Sequence, residues 1–342
     1  MTVALIRKLL RDLRWPLLGV AIFLAGFECL WVKITQRITG QIVPLLLALS
    51  KASGVSADRL ESTLFEGPGR LLRTIMGGET IGLDRAMDML SIGYVHPTVQ
   101  VAICIWAIGR SAGAIAGEID RGTMELLMAQ PVYRYRLVSS YLILEFLTIP
   151  LLCLAMWSGT FLGNKLVGPI SVSSAELNEL PIPVEINEDR LKIDPWDFGP
   201  SLLNVGALFF AISGYTIWLS SRGRSRWKVL GIAIFLTLLQ FIINVIGQLW
   251  DAIAVLRPLT VFFYYQPQQI ALNERWFVDV SAPLNVVAAV REASAGQNLA
   301  TIWSSAQVGY PLNVVVVLLC VGAIGYALAF WTFCRRDLPA PL

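Results

Sequence analysis

Long apolar runs alternate along this chain with short segments crowded with charge. A membrane-spanning helix needs about 20 mainly apolar residues. Six runs meet that length, at about 16–33, 97–115, 137–162, 198–220, 229–249 and 312–333. The third contains Pro150, which lacks a backbone N–H and is expected to kink it. Residues 1–15 are amphipathic: Leu5, Leu9 and Leu13 share one side, and Arg7, Lys8, Arg11 and Arg14 lie elsewhere. That pattern predicts an interfacial helix leading into a retained first span, since no small-residue cleavage site follows the apolar run.

The charged segments orient the runs, because orientation follows local Lys and Arg. Arg7, Lys8, Arg11 and Arg14 precede the first span, and Arg134 and Arg136 precede the third. Arg222, Arg224, Arg226 and Lys228 fill the turn between the fourth and fifth, and Arg335 and Arg336 follow the sixth. With six spans all of these fall on one side, which is then the cytoplasm, with both termini inside. The loop 163–197 falls on the other side. Its acids Glu176, Glu179, Glu185, Glu188, Asp189, Asp194 and Asp197 outnumber Lys165, Arg190 and Lys192. Two longer segments are also placed outside. Residues 33–95 carry helical periodicity at Leu60, Leu64, Leu71, Leu72 and Ile75 and predict a small helical cap. Residues 250–310 hold the apolar patch VFFYYQPQQIAL, too short and too Pro-broken to span, and predict a re-entrant segment.

Composition agrees with the pattern. Hydrophobic residues make up 56% of the chain, charged residues 15%, and mean hydropathy is +0.64, against about 25% charged in soluble domains. The basic residues sit beside apolar runs and form no aromatic-interleaved patch of the kind that binds nucleic acid. Cys29, Cys104, Cys153, Cys320 and Cys334 lie in or at the ends of apolar runs with no CxxC spacing, so they read as packing residues. His96, the one histidine, has no acid, Cys or His beside it and is a poor metal or catalytic site. The sequence contains no HExxH and no GxxxxGK[ST] phosphate loop, which argues against a zinc-dependent intramembrane enzyme and against nucleotide binding by this chain.

One cytoplasmic segment is denser in chemistry than its neighbours: GEIDRGTMELLMAQPVYRYR, residues 117–136. On a continuous helix Glu118, Arg121 and Glu125 form one stripe, with Arg121 between the acids at i+3 and i+4 spacing, while Ile119, Leu126 and Leu127 face away. Pro131 ends the helix near Ala129, because Gln130 before it is pushed out of the helical region. Two readings are open. One is an interfacial helix that satisfies the positive-inside rule. The other is a docking element for a cytoplasmic protein, favoured by acids that the negative inner leaflet would repel.

This segment resembles the one that follows the second span in ABC-2 type permeases, the membrane subunits of a class of ABC transporters. The family pattern of an acid, R-G-T, E-L-L and P-V-S/T-R falls on Glu118, Arg121, Gly122, Thr123, Glu125, Leu126, Leu127, Pro131, Val132 and Arg134, with Arg136 just beyond. Ser139, Ser140 and Tyr141 stand where members often have Gly-Lys. The six-span layout and the aromatic and Pro residues Tyr264, Tyr265 and Pro267 before the last span are similar too. The resemblance implies an all-α membrane protein with an N-terminal interfacial helix, a cytoplasmic coupling helix and an extracytoplasmic re-entrant segment. It implies residence in a bacterial-type cytoplasmic (inner) membrane. It also implies a permease, an exporter in most members, whose coupling helix docks on a separate cytoplasmic P-loop ATPase. Two ATPase copies bind ATP-Mg, and a second permease copy or related permease completes the transporter. This chain is then expected to bind no cofactor itself.

Three further features stand apart. Glu28 and Glu145 are carboxylates inside apolar runs, costly there and functional candidates by default. Proximity to the outer interface is the alternative for Glu28. Glu145 fits helix-to-helix pairing better, with Arg110 among its possible partners. Gln240, Asn244 and Gln248 recur every four residues on the fifth span. They form either part of a translocation path, as the resemblance implies for that span, or a set of interhelical hydrogen bonds. A passive anchoring or assembly protein would need the same docking element as a transporter. Spans with few charges fit lipids, amphiphiles or drugs better than small ions.

Overall fold

The computed structural model describes residues 2–55, 85–129, 133–168, 191–273, 275–280 and 311–336. Eleven α-helices fall within them. They are α1 Thr2–Ser53, α2 Ala86–Val95, α3 Pro97–Gly113, α4 Ala116–Asp120, α5 Thr123–Met128, α6 Arg134–Val167, α7 Gly199–Arg222, α8 Arg226–Leu249, α9 Asp251–Ala254, α10 Pro267–Asn273 and α11 Val314–Arg335. Six helical segments are long and apolar enough to cross a membrane: Leu5–Gly40, Ala86–Gly113, Arg134–Val167, Pro195–Arg222, Arg226–Leu249 and Val314–Arg335.

These spans match the six apolar runs in number and order, with three differences. No break separates an N-terminal helix from the first span. Helix α1 runs through Pro16 for 52 residues, roughly 78 Å at 1.5 Å per residue and far more than a bilayer core. Leu5, Leu9, Leu10 and Leu13 pack on the same core as the rest of α1, so tertiary contact extends the helix where charge suggested a boundary. The second difference lies between 33 and 95. Residues 33–53 continue α1, and α2 occupies 86–95 with nearly every side chain buried. His96, extended because Pro97 follows it, breaks α2 from α3. Thus α2 and α3 together form the second span. The periodic positions Leu60 to Ile75 lie outside the described residues, as do Glu176 to Asp189 and 281–310. The third difference is a short antiparallel strand pair, β1 Phe277–Asp279 with β2 Pro311–Asn313, registered Val278 to Leu312, which leads directly into α11. Helix α6 is continuous across Pro150.

Apolar attraction between helices is weak where the solvent is lipid, so close backbone approach and polar contacts hold the bundle. Helix α7 is its centre, packing on α3, α6, α8, α10 and α11, with 67% of its span buried against 17% for α8. Against α11 the approach is backbone to backbone. A Cβ on Gly214 would clash with the Gly322 carbonyl oxygen, and one on Gly325 would meet Gly214. Helix α6 meets α1 the same way, with Gly159 against the Ala25 carbonyl and Gly163 against Val32. Hydroxyl pairs join neighbours elsewhere: Tyr94 with Thr160 at 2.9 Å, Tyr215 with Thr237 at 2.5 Å and Ser221 with Thr332 at 2.5 Å.

Candidate coupling site

The arginines of 134–136, 222–226 and 335–336 gather at one end of the bundle, which carries α4 and α5. The path out of α3 is set by Ser220 on α7. Its hydroxyl accepts from the backbone N–H groups of Ile115 and Ala116 at 3.1 and 3.0 Å and donates to the Ala112 carbonyl at 3.0 Å. One side chain therefore satisfies both sides of the break between α3 and α4. The Arg226 side chain lies across Gly113 and Gly117, whose lack of Cβ leaves it room.

The stretch 118–129 is two short helices and not the single one expected. Gly122 interrupts it at φ 70°, in the left-handed region that glycine enters without steric cost. The single stripe of Glu118, Arg121 and Glu125 is therefore not formed. Glu118 turns inward and clasps the break: one carboxylate oxygen takes Arg121 Nη2 at 2.5 Å and the other takes the Thr123 hydroxyl at 2.5 Å. Met124 is buried and Ile119 and Met128 pack on the core, which anchors the unit from below. Asp120, Arg121, Glu125 and Leu126 remain exposed, Leu126 at 70%, and Leu127 is half-buried. The outward face thus carries acids, a base and an apolar side chain on a rigid base. Pro131 lies outside the described residues. Beyond it, Arg136 stacks over Tyr133 and Tyr135, and Arg134 donates to the Arg336 carbonyl. Arg336 in turn donates to the carbonyls of Ser221 and Gly223, both at 2.9 Å. The starts and ends of α6, α7 and α11 are tied together there.

Two turns before residue 117, Arg110 on α3 forms a buried ion pair with Glu145 on α6, and Tyr326 on α11 donates to Glu145 Oε1 at 3.3 Å. Glu145 is a helix-to-helix partner, and the pair joins the C-terminal half of α3 to two other spans. Glu28 is different. It is fully buried against Gly93 and Trp31, and among the described residues neither oxygen has a hydrogen-bond partner. It does not reach water at an interface. His96 is a helix cap, its Nδ1 accepting from Thr98 N at 3.2 Å.

The amides of α8 hold the segment that follows. Gln240 Oε1 accepts from Val261 N at 3.1 Å and Asn244 Oδ1 accepts from Arg257 Nε at 3.4 Å, while Gln248 is half-buried. Burial lowers the proton affinity of Arg257, whose guanidinium also lies over Phe263. Asn204 on α7 brackets the same segment, donating to Tyr264 O and accepting from Gln266 N, both at 2.9 Å. The Tyr265 hydroxyl donates to the Tyr94 carbonyl at 2.5 Å. Residues 257–266 are thereby fastened to α2, α7 and α8. Ser220 and Asn204 carried no signal in the sequence, since each is an ordinary polar residue in a span until its partner is known, and Arg226 was legible only as an orienting charge.

A family model described as an ABC-2 family transporter protein matches residues 6–338, nearly the whole chain. The chain belongs to the ABC-2 family. It is an ABC-2 type permease, an integral membrane protein and a membrane subunit of an ABC transporter, a class that works with an ATPase partner. Comparison with curated proteins and with solved structures gives no match. In this ABC-2 permease, the segment that resembled the family in sequence is the one that α3, α7 and α8 hold at the basic end of the bundle.

Proposed function

We propose that this permease is the translocating half of an ATP-driven exporter, with the basic end facing the cytoplasm and residues 117–136 docking in a groove of a separate P-loop ATPase. The reading is carried by one observation: acids, a base and an exposed leucine stand outward on two short helices whose other side is locked into the bundle. A face built for lipid would be apolar or basic, because the inner leaflet is anionic.

Two ATPase copies would bind ATP-Mg and drive two permeases between inward- and outward-facing states. The second permease, a further copy or a relative, is supported by the apolar face that α8 leaves uncovered, including Phe235 and Leu238. Motion of α4 and α5 would pass to α3, and through Arg110 and Glu145 to α6 and α11. The fastening of 257–266 by Gln240, Asn244 and Asn204 marks that segment as a candidate outer closure, and it assigns two of the three α8 amides to holding it. Apolar or amphiphilic compounds are the substrate class that fits these spans. The test is co-purification of the ATPase with parent and with Arg121→Ala/Glu125→Ala, with transport of a lipid-like probe in proteoliposomes. The double variant is expected to insert normally and to lose ATPase binding and transport several-fold. Parental binding and transport in that variant would overturn the docking assignment.

A further inference from the structure

A second basic feature lies at the same end of the bundle. The C-terminal ends of α7 and α11 flank an open cavity of about 310 Å³ lined by Ser221, Arg222, Trp331, Thr332, Arg335 and Arg336. Three of the six are arginines, none is acidic, and among the described residues none of the three has a carboxylate within ion-pair distance.

The arginines are not equivalent. Arg336 is held, giving Nη1 to the carbonyls of Ser221 and Gly223. Arg222 lies over the Trp218 ring at 5.6 Å and Arg335 over the Trp331 ring at 5.2 Å. Stacking on an indole fixes the guanidinium plane and leaves its N–H edge free, the geometry that grips a phosphate with two parallel hydrogen bonds. Burial, and secondarily the charge of Arg224, lower the proton affinity of Arg336. An anion in the cavity would relieve that repulsion. Trp331 is 56% exposed and stands where α11 leaves its apolar stretch, a position typical of the membrane–water boundary. Above it Ile324 and Cys320 are exposed on the same face of α11 and offer a track for an acyl chain.

We propose that this cavity is a binding site for the phosphate of an anionic glycerophospholipid, with Arg222 and Arg335 gripping the headgroup and Arg336 forming the floor. Basic pockets between spanning helices bind such headgroups in general. The phosphate alone does not distinguish a lipid from a free anion. The aromatic rim and the apolar track beside it favour the lipid, and the experiment separates the two.

Purified permease is melted in neutral detergent doped with phosphatidylglycerol, with phosphatidylcholine, or with inorganic phosphate at equal concentration. Phosphatidylglycerol is expected to raise the melting temperature of the parent, and the other two additions to leave it unchanged. The Arg222→Gln/Arg335→Gln variant is expected to lose most of that rise, and an Arg7→Gln/Lys8→Gln variant to keep it. Native mass spectrometry of the parent gives a measure independent of any variant's folding: phosphatidylglycerol is expected to stay bound several-fold more than phosphatidylcholine. An equal rise in the Arg222/Arg335 variant, an equal effect of inorganic phosphate, or equal retention of the two lipids would each overturn the proposal.

Discussion

At the scale of single residues, Glu118 and Arg121 have different roles although they touch. Glu118 holds the break at Gly122 through Thr123 and Arg121, and Arg121 presents its charge outward. Arg121→Ala is therefore expected to leave melting temperature nearly unchanged, since exposed pairs contribute little. A charge that pairs across a desolvated interface loses about 2–5 kcal/mol of docking when its partner goes. Glu118→Ala is expected to weaken docking too, but with loosened protection of the 118–123 backbone in hydrogen exchange. Equal exchange in parent and both variants would remove the distinction. The Arg110–Glu145 pair gives a second prediction. Truncating one partner leaves a buried charge uncompensated, at a cost of about 3–5 kcal/mol, whereas replacing both with apolar residues of similar size is far milder. Arg110→Met is expected to melt much earlier in detergent than Arg110→Met/Glu145→Leu. If the double variant melts no later than the single, the pair is not what the fold depends on.

At the scale of elements, the joint between α3 and α4 rests on Ser220. Ser220→Ala leaves buried backbone groups without a partner, at about 1–3 kcal/mol each way the group is left unmet. The expected result is a permease that inserts but holds α4 poorly, read as reduced ATPase capture at matched expression. Capture equal to the parent would show that the joint has other support. The α7–α11 contact is stricter, because Gly214 faces the Gly322 backbone with no room for a side chain. Gly214→Leu is expected to abolish monodisperse protein, whereas Gly231→Ala, with nothing within 4 Å of its added Cβ, is expected to be tolerated.

At the scale of the whole molecule, the prediction concerns orientation. In a variant lacking the five native cysteines, Glu185→Cys is expected to react with an impermeant thiol reagent from outside and Ser225→Cys only after permeabilisation. Reversed labelling would invert the topology. The number and order of the spans were legible from sequence because a bilayer imposes a length and an apolarity that each helix must satisfy by itself. The segment 117–136 stood out because its residues are contiguous and match the family's order from Glu118 to Arg134. Local pattern failed where a partner decides the conformation. Gly122 divides a stretch that is periodic enough to read as one helix, and Glu118 turns inward because Thr123 and Arg121 meet it there. Pro16 and the basic residues before it suggested a boundary, yet α1 runs through them because Leu5 to Leu13 find the core. The sequence alone determined a six-span ABC-2 permease with a charged segment after the second span. Only the tertiary structure decided that Arg110 meets Glu145, that Ser220 closes the joint, and that Gln240 and Asn244 hold 257–261. Each of those depends on residues far apart in the chain, and a polar side chain in a span shows its need for a partner without naming it.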